Sequence, residues 1–212
     1  MKNFFRLLVA VAIINCSPVF AGETTVADIQ KRWAVANYQL AGDEQAAAFE
    51  KLIEDATLAV SENSGNADYL IWKAIVESTY AGKASGLSPL GLVKAAKADL
   101  EQALDIDPMA LEGSAYTSLG ALYYQVPGWP IAFGSSKKAE KFLKKALEIN
   151  PEGIDPNYFY GAFMVEEKEW NEAKIALERA LKAPERPDRP IADAGRRDEI
   201  RALLQEISAK AA

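Results

Sequence analysis

The 212-residue chain has no histidine and a single cysteine, Cys16, which lies close to its amino terminus. Cys-His zinc sites, Ser-His-Asp triads and Cys-His nucleophiles all require residues that the rest of the chain lacks. No pair of carboxylates can be singled out as a general acid and base either. We therefore expect a protein that is not an enzyme and that has no metal site and no cofactor.

Basic residues are fewer than acidic ones, and long apolar runs are missing. The 24 lysine and arginine residues against 30 acidic residues give a net charge of −6. This charge repels the phosphates of nucleic acids, so no nucleic-acid partner is expected. A helix needs about 20 apolar residues to cross a bilayer, and no run beyond the amino-terminal segment approaches that length. No transmembrane span is therefore expected in the mature chain.

Residues 1–21 have the composition of a signal peptide. Lys2 and Arg6 precede an apolar run over residues 7–14, and small residues lead to a cleavage site after Ala21. An apolar run of this length is too short to span a membrane. The segment therefore predicts export to the periplasm.

Cleavage after Ala21 would leave residues 22–212 and change the net charge from −6 to −8, because the only two basic residues of the leader are removed. One alternative is a lipoprotein modified at Cys16, although Asn15 stands where such proteins usually have Gly, Ala or Ser. Another is that residues 1–21 form a buried first helix. We expect residues 22–212 to form one domain, with a capping helix at its carboxyl end.

From Glu23 onward the apolar residues recur with a helical period, which predicts an all-α fold. Thr25 is a candidate N-cap for the first helix, and the second helix is expected from about Glu44 to Val60. Ser88-Pro89 and Asp155-Pro156 each resemble an N-cap followed by a proline in the first turn of a helix.

The strongest internal signal is a pattern of small and large apolar residues that recurs after 34 residues, with Ala139, Leu143 and Ala146 returning as Ala173, Leu177 and Ala180. The first-helix pattern of a tetratricopeptide repeat occurs just upstream at Tyr116, Leu119, Gly120 and Tyr123, with Tyr in place of Trp. The expected fold is thus a tetratricopeptide-like array of helix pairs, an α-α superhelix. Its structural positions are Leu119, Gly120, Ala139, Ala146, Gly161, Ala173 and Ala180.

Two helix pairs carry insertions between their helices, one around residues 81–87 and the other at 125–134. Insertions at corresponding points of stacked repeats lie on one face, often the binding face. Trp129 in the second loop either forms a pocket wall or packs on a neighbouring repeat for stability. The aromatic residues that we expect to line a ligand or partner groove are Tyr80, Tyr124, Trp129, Phe133 and Tyr158.

Five arginines near the carboxyl end stand out in an acidic protein: Arg186, Arg189, Arg196, Arg197 and Arg201. Arginine side chains suit the recognition of carboxylates or phosphates. The favoured interpretation is instead a solvated capping helix whose charges pair with the nearby acidic residues, Asp188, Asp193, Asp198 and Glu199.

Several segments together resemble the T-component (TatT) family of TRAP transporters, over residues 67–204. The most specific is the Pro-Gly-Trp-Pro loop within 124–134, followed by similar stretches at 150–161 and 187–197. The resemblance implies a periplasmic helical-repeat protein that associates with the solute-binding protein of a transporter for small organic acids or other hydrophobic ligands. It also implies a possible homotrimer with a cavity through each protomer.

Two hypotheses follow for function. The first is an accessory binding subunit of a ligand-uptake system, which holds a small organic or hydrophobic ligand by aromatic anchors. The second is a structural scaffold for another complex of envelope proteins, with a peptide rather than a small ligand in its groove.

Overall fold

A computed structural model describes residues 24–84 and 88–210, and these residues form nine α-helices. In chain order they are α1 (Val26–Tyr38), α2 (Gly42–Glu62), α3 (Ala67–Ala81), α4 (Ser88–Ile106), α5 (Ala110–Gln125), α6 (Ser136–Ile149), α7 (Ile154–Glu166), α8 (Trp170–Lys182) and α9 (Pro190–Lys210). The predicted all-α class is confirmed. The proposed signal peptide lies outside the described residues.

Helices that follow one another in the chain pack as pairs, and the most extensive contacts are those of α3 with α4, α5 with α6 and α7 with α8. Each odd-numbered helix also contacts the next odd-numbered one, so α1, α3, α5, α7 and α9 form an inner layer and the even-numbered helices an outer one. This packing is consistent with a helical-repeat array.

The small residues predicted at the repeat positions lie where paired helices approach most closely. A Cβ atom at Gly120 would lie 2.5 Å from Cγ of Leu143, and one at Gly161 would lie 2.7 Å from Cγ of Leu177. The other predicted repeat positions are buried as well: Leu119, Ala139, Ala146, Ala173 and Ala180. Glycine thus permits a leucine of the second helix to pack against the backbone of the first.

The first and last helices of the described chain meet. Helix α1 contacts α9, and a Cβ atom at Gly195 would clash with the ring of Tyr38. Ala192 of α9 belongs to the same buried cluster as Trp33 of α1. The five inner helices therefore follow one another around a closed ring, which the 34-residue period alone did not predict.

Helix starts agree with the sequence in one case and differ in another. Thr25 caps α1 as predicted: its Oγ1 accepts a hydrogen bond from the backbone N–H of Asp28, and the Asp28 carboxylate accepts one from the Thr25 N–H. The prediction that Asp155 caps α7 was wrong, because Gly153 is the N-cap and Asp155 lies inside the first turn. Its carboxylate binds arginine side chains instead.

The start of α5 departs from regular helix geometry. Leu111, Glu112 and Gly113 have φ angles of 47°, 55° and 75°, which place three consecutive residues in the left-handed region. For each residue other than glycine this costs roughly 1–2 kcal/mol. Gly113 also packs tightly against Ile149, since a Cβ atom there would lie 2.9 Å from its Cδ1.

None of the helices in the described residues combines the length and apolarity that a membrane span requires.

Candidate functional site

The inner helices surround two adjoining cavities of about 560 and 240 Å³. The smaller one is lined by side chains from all five inner helices, and the larger one opens beside the α5 and α7 starts and the segment before α9. Five residues line both: Trp72, Ser114, Thr117, Asp155 and Arg189. The two volumes together lie in the size range typical of small-molecule sites.

An aromatic wall forms one side of the smaller cavity. Trp72 of α3 is only 3% exposed and packs edge-on against Trp33 of α1, with 5.8 Å between ring centroids. The indole Nε1–H of Trp33 donates a 3.0 Å hydrogen bond to Oγ1 of Thr79. These contacts pair the indole N–H of Trp33 and fix the orientation of both rings, which line the smaller cavity.

A network of charged side chains forms the opposite side. Asp155 of α7 accepts hydrogen bonds from Arg186 Nη1 at 2.8 Å and from Arg196 Nε at 3.0 Å. Arg186 also contacts the buried Asp193, and Arg196 Nη1 donates to Glu199 at 2.6 Å. The carboxylate of Asp155 thus joins α7 to α9 and to the segment before it.

Arginine charges control the protonation of this carboxylate. Burial alone would raise the pKa of Asp155, but Arg196 and Arg186 together hold it well below its usual range. The pKa of Arg186 and that of Arg196 are raised in turn by Asp155, despite the burial of both guanidinium groups. Asp155, Arg186 and Arg196 therefore all carry their charges at neutral pH.

Arg196 is 7% exposed and lies against two aromatic rings. Its Cζ is 4.1 Å from the ring centroid of Tyr158 and 4.8 Å from that of Phe159. Cation–π attraction and ion pairing thus position the same guanidinium. Tyr158 and Phe159 form the part of the cavity wall contributed by α7.

Arg189, directly before α9, is bound differently from its neighbours. Its guanidinium lies over the ring of Trp72, 4.9 Å from the centroid. Its Nε is buried and has no hydrogen-bond partner, and none of the ion pairs within 24–84 and 88–210 includes Arg189. Burial and the nearby charge of Arg186 both lower its pKa.

Of the five aromatic residues expected in a groove, only Tyr158 lines the central cavities. Tyr80 stacks on Phe49 and donates a hydrogen bond to Glu50, between α2 and α3. Tyr124 packs against Phe163. The structure does not gather all five side chains in one groove, because Tyr80 and Tyr124 lie in separate helix contacts.

The two aromatic residues of the α5–α6 loop have separate surroundings. Phe133, which was expected in the groove, is half-buried and packs edge-on against Tyr123 of its own helix pair, with 5.5 Å between centroids, so it anchors the loop. Trp129 at the loop tip is 90% exposed and lines neither central cavity. It therefore neither packs on a neighbouring repeat nor forms a wall of that site.

The favoured interpretation of the arginine-rich segment was right that Asp193, Asp198 and Glu199 pair with its arginines, and wrong that Arg196 is a solvated surface charge. Arg201 does pair with Asp198 at the surface, but Arg186 and Arg196 are largely buried and bind Asp155, which lies far away in sequence. Arg197 donates to the backbone carbonyls of residues 181 and 183. Sequence proximity pointed only to partners on the same segment.

The sequence pattern did not indicate that Asp155, Trp72 and Thr117 line a cavity. Their helical patterns indicate burial but not which buried face borders a cavity.

Hydroxyl groups from α3 and α5, including Ser114, Thr117 and Ser118, add neutral hydrogen-bonding groups to the lining. In the part of the chain that the structure describes, no group of three or more acidic, His or Cys side chains is arranged to hold a metal ion. The arrangement is suited to binding a molecule with both apolar and polar parts.

In comparisons with known proteins, no family model matches this chain, and no curated sequence is significantly similar to it. The resemblance to TRAP-transporter T-components stays a prediction.

Proposed function

We propose that the protein is a periplasmic helical-repeat binding protein that holds a small organic ligand in its central cavity. The single observation that carries this proposal is the pair of adjoining cavities inside the ring of inner helices, with an aromatic wall facing a charged network. Ligand sites of this kind combine a mainly apolar lining with a few fixed polar groups. In the same proposal the protein is not an enzyme, and the cavity serves binding alone.

We further propose that it acts as an accessory subunit that associates with the solute-binding protein of a TRAP-type transporter. The segments at 124–134, 150–161 and 187–197 support this through their resemblance to the T-component family. Asp155 and Arg189 fall within two of these segments and border both cavities. The resemblance and the cavity therefore concern some of the same residues.

The association is tested by cross-linking intact cells that export the full chain with an affinity tag after residue 212. Capture should enrich a periplasmic solute-binding protein over a control strain that exports an unrelated tagged protein. Recovery of envelope-assembly proteins alone, with no solute-binding protein, would refute the transporter assignment.

A second candidate function is a structural scaffold within an envelope complex. The observation that favours it is the α5–α6 loop tip, where Trp129 is 90% and Ile131 63% exposed. Exposed aromatic residues are frequent anchors of protein–protein contacts. In this case Trp129→Ala should abolish capture of the envelope partner, and the isolated protein should carry a peptide and no small ligand.

A further inference from the structure

Arg189 is a half-buried cation that lines both cavities and forms no ion pair within residues 24–84 and 88–210. The three arginines around this site are Arg186, Arg189 and Arg196, and the two that flank Asp155 occupy its oxygens. The remaining carboxylates of the network are held in the same way, Asp193 by Arg186 and Glu199 by Arg196. Among the described residues, Asp155, Asp193 and Asp188 act on Arg189 only from a distance, and its buried Nε has no hydrogen-bond partner.

Such an arrangement is costly unless something binds the exposed side of the guanidinium. A buried charge without a counter-charge or hydrogen bonds loses hydration that the protein does not replace. The face of Arg189 lies on the indole of Trp72, so only its edge is free to donate hydrogen bonds. Arg189 borders both cavities, and because its Nε is buried, the two terminal nitrogens are the donors that a ligand there would meet. An arginine edge matches the two oxygens of a carboxylate.

The surroundings of Arg189 limit the charge of the anion. The larger cavity is bordered by four carboxylates, Glu112, Glu152, Asp155 and Asp188. These would repel a second negative charge on the same ligand. The smaller cavity offers apolar contacts from Trp72, Ile75, Leu122 and Phe159, and its two carboxylates, Asp155 and Glu199, are both bound by Arg196. A second carboxylate placed there would lose its hydration and meet no free counter-charge, because Arg196 is already bound by these two carboxylates.

We propose that Arg189 binds the carboxylate of an amphipathic monoanion, whose apolar part lies in the smaller cavity against Trp72. This inference rests on the proposed ligand-holding function and specifies its ligand class. One carboxylate and one apolar tail match the lining, whereas neutral alcohols lack the partner for Arg189 and dianions place a second charge among apolar side chains.

Three probes of equal chain length separate these cases: octanoate, 1-octanol and the dicarboxylate suberate. Their affinities for the mature protein are measured by isothermal titration calorimetry. Octanoate should bind at least tenfold more tightly than either of the others, on the scale of a single charge-assisted contact. Suberate has the same carboxylate, so its weaker binding would specifically report the cost of the second charge.

The variant Arg189→Gln should weaken octanoate binding at least tenfold and leave 1-octanol binding unchanged, which also shows that the cavity is intact. Arg189→Lys keeps the charge but not the planar edge and should retain part of the affinity. Arg201→Gln is the matched control, because Arg201 is exposed and pairs with Asp198 outside the cavities. It should bind octanoate like the wild type.

Equal affinity for octanoate and 1-octanol in the wild type would overturn the inference while leaving the ligand-holding function in place. Undiminished octanoate binding by Arg189→Gln would overturn it as well. Failure of all three probes to bind would refute the monoanion site, and the proposed association would then be judged by cross-linking alone. Should Arg189→Gln not fold, Arg189→Lys and the wild-type comparison of the three probes still decide the matter.

Discussion

Replacing Asp155 with Asn removes the negative charge shared by two arginines. Breaking a buried ion pair typically costs 3–5 kcal/mol, whereas an exposed pair contributes about 0–1 kcal/mol. The side chain of Asp155 is 26% exposed and each arginine keeps a second carboxylate, Arg186 that of Asp193 and Arg196 that of Glu199. We therefore expect Asp155→Asn to lower the free energy of unfolding by about 2 kcal/mol, between those limits.

The assay is urea-induced unfolding at pH 7, followed by circular dichroism. Asp198→Asn serves as the control, because Asp198 is largely exposed and its pair with Arg201 joins neighbouring turns of α9. That variant should unfold within about 0.5 kcal/mol of the wild type. If Asp155→Asn proves no more destabilising than Asp198→Asn, the network does not join α7 to α9 energetically and the reasoning is refuted.

The difference in stability between the wild type and Asp155→Asn should depend on pH. The pKa of Asp155 is held below its usual range in the folded state, so its stabilising contribution is present above the unfolded value of about 3.9. It is lost as the pH falls through that value toward the lower folded pKa, since the proton then binds the unfolded chain more tightly. The stability difference between wild type and Asp155→Asn should therefore be constant near neutral pH and shrink below about pH 4. A difference that grows in acid would contradict the assigned direction.

Four further substitutions test the packing, three by urea unfolding and Gly195→Val by hydrogen exchange. Gly120→Leu should destabilise by about 3 kcal/mol, because its Cβ has no room beside the paired helix; an unchanged midpoint would contradict the close approach. Gly195→Val should displace the ring of Tyr38 and speed hydrogen exchange in α1 while leaving α5 and α6 protected. An equal increase of the exchange rate in all of these helices would argue that the contact between α1 and α9 does not close the ring separately. Phe133→Ala should lower the free energy of unfolding by about 1–2 kcal/mol and Trp129→Ala by less than about 0.5 kcal/mol, since only Phe133 is packed. Equal effects of the two substitutions would contradict the loop structure.

Much of the fold could be predicted because its determinants are local. The helical period, the cap at Thr25 and the small residues at Gly120 and Gly161 each act within one helix or one helix pair. Closure of the ring could not be predicted, since it depends on rotations summed over several pairs and on a contact between α1 and α9.

The cavity was harder to predict than the fold. Asp155 looked like a helix cap, which is the common use of an aspartate before a proline, but the arginines that bind it come from a distant segment. Five aromatic residues were expected to form the site, but Tyr80 and Tyr124 fill helix contacts instead, because a single sequence does not give the direction of each helix face.

The ligand-holding role of the central cavity is tested most directly by native mass spectrometry of protein isolated from the cell envelope. Three proteins are compared: the wild type, Ser118→Trp, which fills the smaller cavity, and Ser208→Trp, which adds the same side chain on the exposed surface of α9. The account predicts a bound small molecule of discrete mass on the wild type and on Ser208→Trp, and its absence from Ser118→Trp. A wild type without bound ligand, or equal retention by Ser118→Trp, would contradict it.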